Sequence, residues 1–134
     1  MPDPDATPNT VEGLALLLWS ADTDAPHRLA TPFSYAAAAA AMDLRVEIYF
    51  TARSVELLLP GVAASLRASP RHSKTVLDAM RESVAQGAVL WACSDALAAL
   101  VTAPQVLIPE CSGRGGAVQF IARAADLRWR TLVF

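Results

Sequence analysis

The strongest constraint on this chain is an uninterrupted apolar run, Leu14-Ala15-Leu16-Leu17-Leu18-Trp19, that stops at the polar Ser20-Ala21-Asp22-Thr23-Asp24. A run this short and apolar on every side reads as a strand buried on both faces, the pattern of a parallel sheet covered by helices. Ala88-Val89-Leu90-Trp91-Ala92 repeats the pattern later in the chain. Parallel neighbours need long crossover connections, and the segments between these runs have helical signatures.

From His27 to Met42 the chain is alanine-rich, which predicts a helix that approaches a sheet closely. Pro32 fits only near the start of that helix, so Thr31 is the predicted N-cap. Leu44 to Thr51 alternates Leu44, Val46, Ile48 and Phe50 with Arg45, Glu47, Tyr49 and Thr51, as in a strand nearer an edge. Ser54 to Leu59 reads as a short helix stopped by Pro60-Gly61, and Val62 to His72 as an irregular connection. Ser73 is the expected cap of the next helix, with Val76, Leu77, Met80 and Val84 as its apolar stripe and Gly87 as its stop. Beyond Cys93 come a short helix from Ser94 to Val101, Pro104, and an apolar piece, Val106-Leu107-Ile108. The last helix is expected from Gly113 to Ala125, with Val118, Ile121 and Ala125 inward and Arg114, Arg123 and Asp126 outward. Arg128 to Phe134 supplies a final strand. The architecture is an α/β fold, a three-layer α/β/α sandwich with a mostly parallel sheet. Residues 1 to 12, rich in Pro, Asp and Thr, are read as a flexible tail, and 13–134 as one domain.

Charged residues make up 18% of the chain and hydrophobic residues 54%, against roughly 25% charged in an average soluble domain. A surface this poor in charge is most simply covered by further copies of the chain, so a homo-oligomer is expected. A net charge of −2 gives no general attraction to nucleic acid or to an anionic membrane. The acidic Met1-Pro2-Asp3-Pro4-Asp5 lacks the basic and apolar regions of a secretion signal, which points to the cytoplasm. Gly13 to Trp19 and Ala36 to Met42 are far short of the ~18 apolar residues of a membrane span. The two cysteines form no CxxC or other metal-ligand spacing, and no cofactor motif is present.

Cys93 is the principal candidate for chemistry. It stands at the carboxyl end of a buried strand and the start of a helix, where ligands bind in open parallel sheets and where helix dipoles favour the thiolate. The opposing reading is a packed, inert thiol. Cys111 lies in Pro109-Glu110-Cys111-Ser112-Gly113-Arg114-Gly115-Gly116, read as a flexible loop that exposes the thiol; it is a candidate resolving partner, with Arg114 to keep a sulfur ionised. The glycines lack both GxGxxG spacing and the Walker lysine. Ser20, Asp22 and Asp24 are expected at the same sheet edge, as pocket or turn residues. Trp91 is a candidate wall of the pocket or part of the core. Arg67, Arg71, His72 and Lys74 form a basic loop cluster able to attract an anionic donor or an acidic partner, and neither His27 nor His72 falls in a metal or triad pattern.

Four segments resemble the DsrE-like (DsrE/DsrF/DsrH-like) family of small sulfur-transfer proteins. They are the strand from Leu16 with its Ser-x-Asp loop and "ATPFSYAAAAAAMDLRVEIYF", "VELLLPGV" at Val55 to Val62, "VLWACSDAL" at Val89 to Leu97, and "GGAVQFIARAADLRWRTLVF" at Gly115 to Phe134. Asp43 and Ala52-Arg53 stand where that family often has glycine, and Cys111 matches no position of its pattern. The resemblance implies a sheet of about five parallel strands, assembly into trimers or hexamers, and sulfur held as a persulfide on Cys93. Three functions follow: a sulfur carrier or sulfurtransferase that exchanges sulfur with donor and acceptor proteins, a non-catalytic oligomeric scaffold, and a Cys93-Cys111 thiol-disulfide switch.

Overall fold

A computed structural model describes residues 10–101 and 106–134. Its sheet consists of β1 (Gly13–Leu18), β2 (Arg45–Phe50), β3 (Val89–Ala92), β4 (Cys111–Arg114) and β5 (Trp129–Val133). The helices are α1 (Ala30–Ala41), α2 (Val76–Ala85), α3 (Ser94–Leu100) and α4 (Ala117–Ala124). All strand pairs are parallel, in the order β4-β3-β2-β1-β5. From β1 to β4 the chain steps across the sheet in one direction, so right-handed crossovers leave α1, α2 and α3 on one face. The last crossover reverses direction to place β5 beside β1, which puts α4 on the opposite face.

The two faces are therefore unequally covered. On the three-helix face Leu16, Leu18, Ile48, Phe50 and Leu90 are fully buried against Phe33, Met80 and the 3-10 segment Ala52–Leu58. On the other face a smaller cluster of Ala15, Tyr49 and Trp129 packs with Leu17, Trp91 and Phe120 beneath α4 alone. The approach there is close: a Cβ on Gly13 would lie 2.6 Å from the Trp129 ring. Val118 on α4 is 87% exposed and Ile121 59% exposed.

The α/β sandwich matches the sequence expectation, but several local features differ. β2 lies between β1 and β3 rather than nearer an edge, and five of its six residues are buried. Of its alternating polar residues, Glu47 and Tyr49 are buried beneath α4, while Arg45 is exposed. Arg123, expected outward on α4, points inward to Glu47, while Val118 and Ile121, expected inward, are largely exposed. The helix is turned over because a buried carboxylate needs a cationic partner more than an already crowded face needs two aliphatic side chains. α4 also begins at Ala117 rather than Gly113, since Cys111 to Arg114 add to the sheet edge as β4.

Helix starts differ as well. α1 follows the 3-10 turn Pro26–Arg28 with Leu29 at its N-cap, so Thr31 lies inside the helix and caps nothing. Pro32 is in the first turn, where its missing N–H has no intrahelical acceptor to lose. α2 is capped by Thr75 rather than Ser73: Asp78 N donates to Thr75 Oγ1, and Thr75 N donates to the Asp78 carboxylate. This reciprocal pair holds the Asp78 carboxyl below its usual range. Of the expected tail, residues 1–9 lie outside the described residues, as does Pro104. Glu12 is tied to the sheet: its N–H donates to Arg128 O and its carbonyl accepts from Arg45 N.

Among the described residues, two non-glycine positions have a left-handed backbone, Asp43 at φ 65° and Ala52 at φ 48°. They stand at positions where the sequence resemblance expects glycine. An L side chain in this region is disfavoured by about 1 kcal/mol relative to glycine, with Asp better tolerated than Ala. Ala52→Gly is thus expected to raise the unfolding free energy by about 1 kcal/mol, seen as a higher urea midpoint at unchanged slope. An unchanged or lower midpoint would contradict strain at Ala52.

Candidate functional site

Cys93 joins β3 to α3. Its N–H donates to Phe50 O at 2.9 Å, extending the β2–β3 ladder, and its carbonyl accepts the first helical bond from Leu97 N at 3.0 Å. As the N-cap residue of α3 it has an extended backbone, and its side chain makes no capping hydrogen bond. The half-buried thiol lines a pocket of about 310 Å³ at the carboxyl edge of the sheet, beneath the start of α4. Leu17, Trp19, Tyr49, Phe120 and Ile121 form its walls. Gly115 lets the chain pass close to Trp91 of β3 as it enters α4. Gly115 N donates to Ala92 O at 2.9 Å, and a Cβ on Gly115 would come within 2.8 Å of Gln119 Oε1.

Below the pocket is a buried polar knot that the sequence reading did not identify. Glu47 is 6% exposed and accepts four hydrogen bonds. Tyr49 Oη donates to Oε1 at 3.2 Å, Trp91 Nε1 to Oε2 at 3.2 Å, and Arg123 to both oxygens, from Nε at 2.6 Å and from Nη2 at 3.4 Å. Arg123 also lies over the Trp129 ring, 4.1 Å from its centroid. The carboxylate hydrogen bond raises the Arg123 pKa, so the cation persists. Burial, and then the Glu47 charge, push the Tyr49 hydroxyl up to about 12. Tyr49 meets Phe120 edge to face at 5.4 Å, which connects this knot to the pocket wall. Trp91 supports the knot from β3 and does not line the pocket.

Cys111 is not in a flexible loop. It opens β4, with Sγ 3.4 Å from Gly113 O and 3.8 Å from Leu90 O, and burial pushes its thiol pKa up. Cys111 pairs with Leu90, three residues before Cys93. At about 3.3 Å per residue this puts the two sites roughly 10 Å apart along the strands, although both side chains pack against the main core. A disulfide needs Cα atoms within about 7 Å, so this register does not support the thiol-disulfide switch. Arg114 is exposed on β4, outside the pocket, and its charge acts on Cys111.

Ser20 and Asp22 share the carboxyl edge with Cys93 but do not line its pocket. Asp22 Oδ1 accepts from Asp24 N at 2.9 Å, a turn-forming role, and Asp24 pairs with Arg53. Of the basic loop, Lys74 pairs with Glu82, and His72 Nδ1 lies 2.6 Å from Ser69 Oγ. Arg71, His72 and Lys74 line a separate open cleft of about 440 Å³ between α1 and α2, which no cysteine lines. Among the described residues, no group of three or more His, Cys, Asp or Glu could hold a metal ion, and no helix is long and apolar enough to cross a membrane.

The sequence carried one signal for the knot, the three-residue spacing of Phe120 and Arg123, which places both on one helix face. Reading polarity as exposure concealed it.

Two measurements test this geometry. Removing one partner of a buried ion pair costs about 3–5 kcal/mol, so Arg123→Leu should destabilise the fold by that amount in urea titration. Tyr49 has a folded-state pKa above its unfolded value, so between pH 10 and about 12 the native state keeps a proton that the unfolded chain has lost. Stability must therefore fall as pH rises through that window, and the fall should be shallower in Tyr49→Phe.

No curated protein matches the chain. Among solved structures, the fold is similar to the crystal structure of the YchN protein from E. coli, with a TM-score of 0.62 at 13% identity over 92% of this chain and 100% of that one. The DsrE/DsrF-like family model matches residues 15–134, from within β1, through the Cys93 pocket and the Glu47 knot, to the end of the chain. By this match, the chain belongs to the DsrE/DsrF-like family.

Proposed function

We propose that this protein carries sulfane sulfur as a persulfide on Cys93 and passes it to a partner thiol. The observation that carries this reading is a half-buried thiol, free of any capping bond, in a pocket at the carboxyl edge of a parallel sheet. Membership in a sulfur-transfer-related family supports it. In the loading step the Cys93 thiolate attacks the outer sulfur of a donor persulfide: one S–S bond forms, one breaks, and the donor leaves as a thiolate. Unloading is the same exchange, with an acceptor thiolate attacking the outer sulfur and Cys93 leaving. No external oxidant or reductant enters either step. The same chemistry serves a stoichiometric carrier and a sulfurtransferase, and it suits a reducing, cytoplasmic setting.

Self-association is part of this proposal. Trp19, Val118, Ile121 and Val133 are each more than half exposed beside the pocket, an apolar surface that further copies of the chain would cover. Ile121→Asp should lower the mass measured by light scattering from that of a trimer or hexamer towards a monomer. A scaffold role with an inert Cys93 is the competing reading.

The deciding experiment is intact-protein mass spectrometry after reduction and exposure to a polysulfide. A one-sulfur adduct should form on the native chain and on Cys111→Ser, and should be lost in Cys93→Ser. A folded protein that takes up no sulfur from any donor would leave the scaffold reading.

A further inference from the structure

The lining of the Cys93 pocket restricts what can deliver sulfur to it, if Cys93 is the carrier residue proposed above. Among the described residues no charged side chain lines the pocket, and its walls include the aromatic side chains of Trp19, Tyr49 and Phe120. The nearby cations are engaged or lie elsewhere. Arg123 is bound to Glu47, Arg53 pairs with Asp24 and Glu56, and Arg114 is exposed outside the pocket. The favourable potential at the start of α4 is worth about 2 kcal/mol at most, whereas an anion unpaired in an apolar site is disfavoured by several. The volume, about 310 Å³, is at the small end of the range for small-molecule sites.

We infer that the pocket selects a small organic hydropersulfide with an uncharged, apolar or aromatic body, and discriminates against donors with an anionic body and against sulfur oxyanions. The donor R–S–SH places R against the aromatic walls and its outer sulfur at Cys93. The Cys93 thiolate attacks that sulfur, the bond between the two donor sulfurs breaks, R–S⁻ leaves, and the proton stays on the transferred sulfur.

A matched pair of donors separates pocket recognition from intrinsic reactivity. Benzyl hydropersulfide and 4-carboxybenzyl hydropersulfide have closely similar S–S bonds and differ in charge at the far end of the body. Loading of the native chain, followed by mass spectrometry and normalised to loading of free N-acetylcysteine, should be at least about tenfold faster for the benzyl donor, a difference of about 1.4 kcal/mol. Trp19 lines the pocket and is 61% exposed, so Trp19→Ala removes an aromatic wall without disturbing the core. That variant should lose most of the benzyl preference while still loading from hydrogen disulfide. Equal rates for the two benzyl donors on the native chain would overturn the selectivity and leave the carrier reading intact. Failure of every donor, hydrogen disulfide included, would instead remove the carrier reading and the selectivity with it.

Discussion

The thin side of this molecule depends on one buried charge. Glu47 is in the central strand of the sheet, and its carboxylate is largely shielded from water. An uncompensated carboxylate there would cost several kcal/mol, so whatever covers this face must bring a cation and hydrogen-bond donors. α4 brings Arg123, β3 brings Trp91, and β2 itself brings Tyr49. The rotation of α4 about its own axis, and with it the exposure of Val118 and Ile121, follows from meeting that requirement.

The second determinant is topological. Three crossovers in one direction stack three helices on one face, and a single reversal leaves only α4 for the other. A helix of eight residues cannot cover a five-stranded sheet. The uncovered remainder, at the carboxyl end where β3 hands over to α3, is the Cys93 pocket. The pocket and the exposed apolar surface beside it are thus two consequences of one imbalance between the faces. Strain is placed at the same edge, in the left-handed Ala52 one residue beyond Thr51 of the pocket rim.

Much of the fold was legible in local patterns. The apolar runs at Leu14 to Trp19 and Ala88 to Ala92 became β1 and β3, and Cys93 stands where the strand-to-helix transition predicted. What failed were inferences from polarity to exposure. Glu47 and Tyr49 alternate with Val46, Ile48 and Phe50 in a pattern that reads as half-solvated, yet both are buried. Cys111 sits among glycines and a serine in a stretch that reads as a loop, yet hydrogen bonding to β3 makes it a strand. Capping erred by a residue or two for a related reason. Ser73 and Thr75 are both competent caps, and only the Asp78 carboxylate three residues beyond Thr75 completes the reciprocal pair.

The sequence by itself determined that parallel strands would alternate with helices and that a cysteine would stand at the carboxyl edge of the sheet, because both follow from periodicity and chain order over short windows. Only the tertiary structure decided which face of α4 turns inward, which polar residues of β2 are buried, and that Cys93 and Cys111 lie apart along the strands. Each of these depends on pairing between residues distant in the chain, Glu47 with Arg123 and Leu90 with Cys111, and no local pattern encodes the partner.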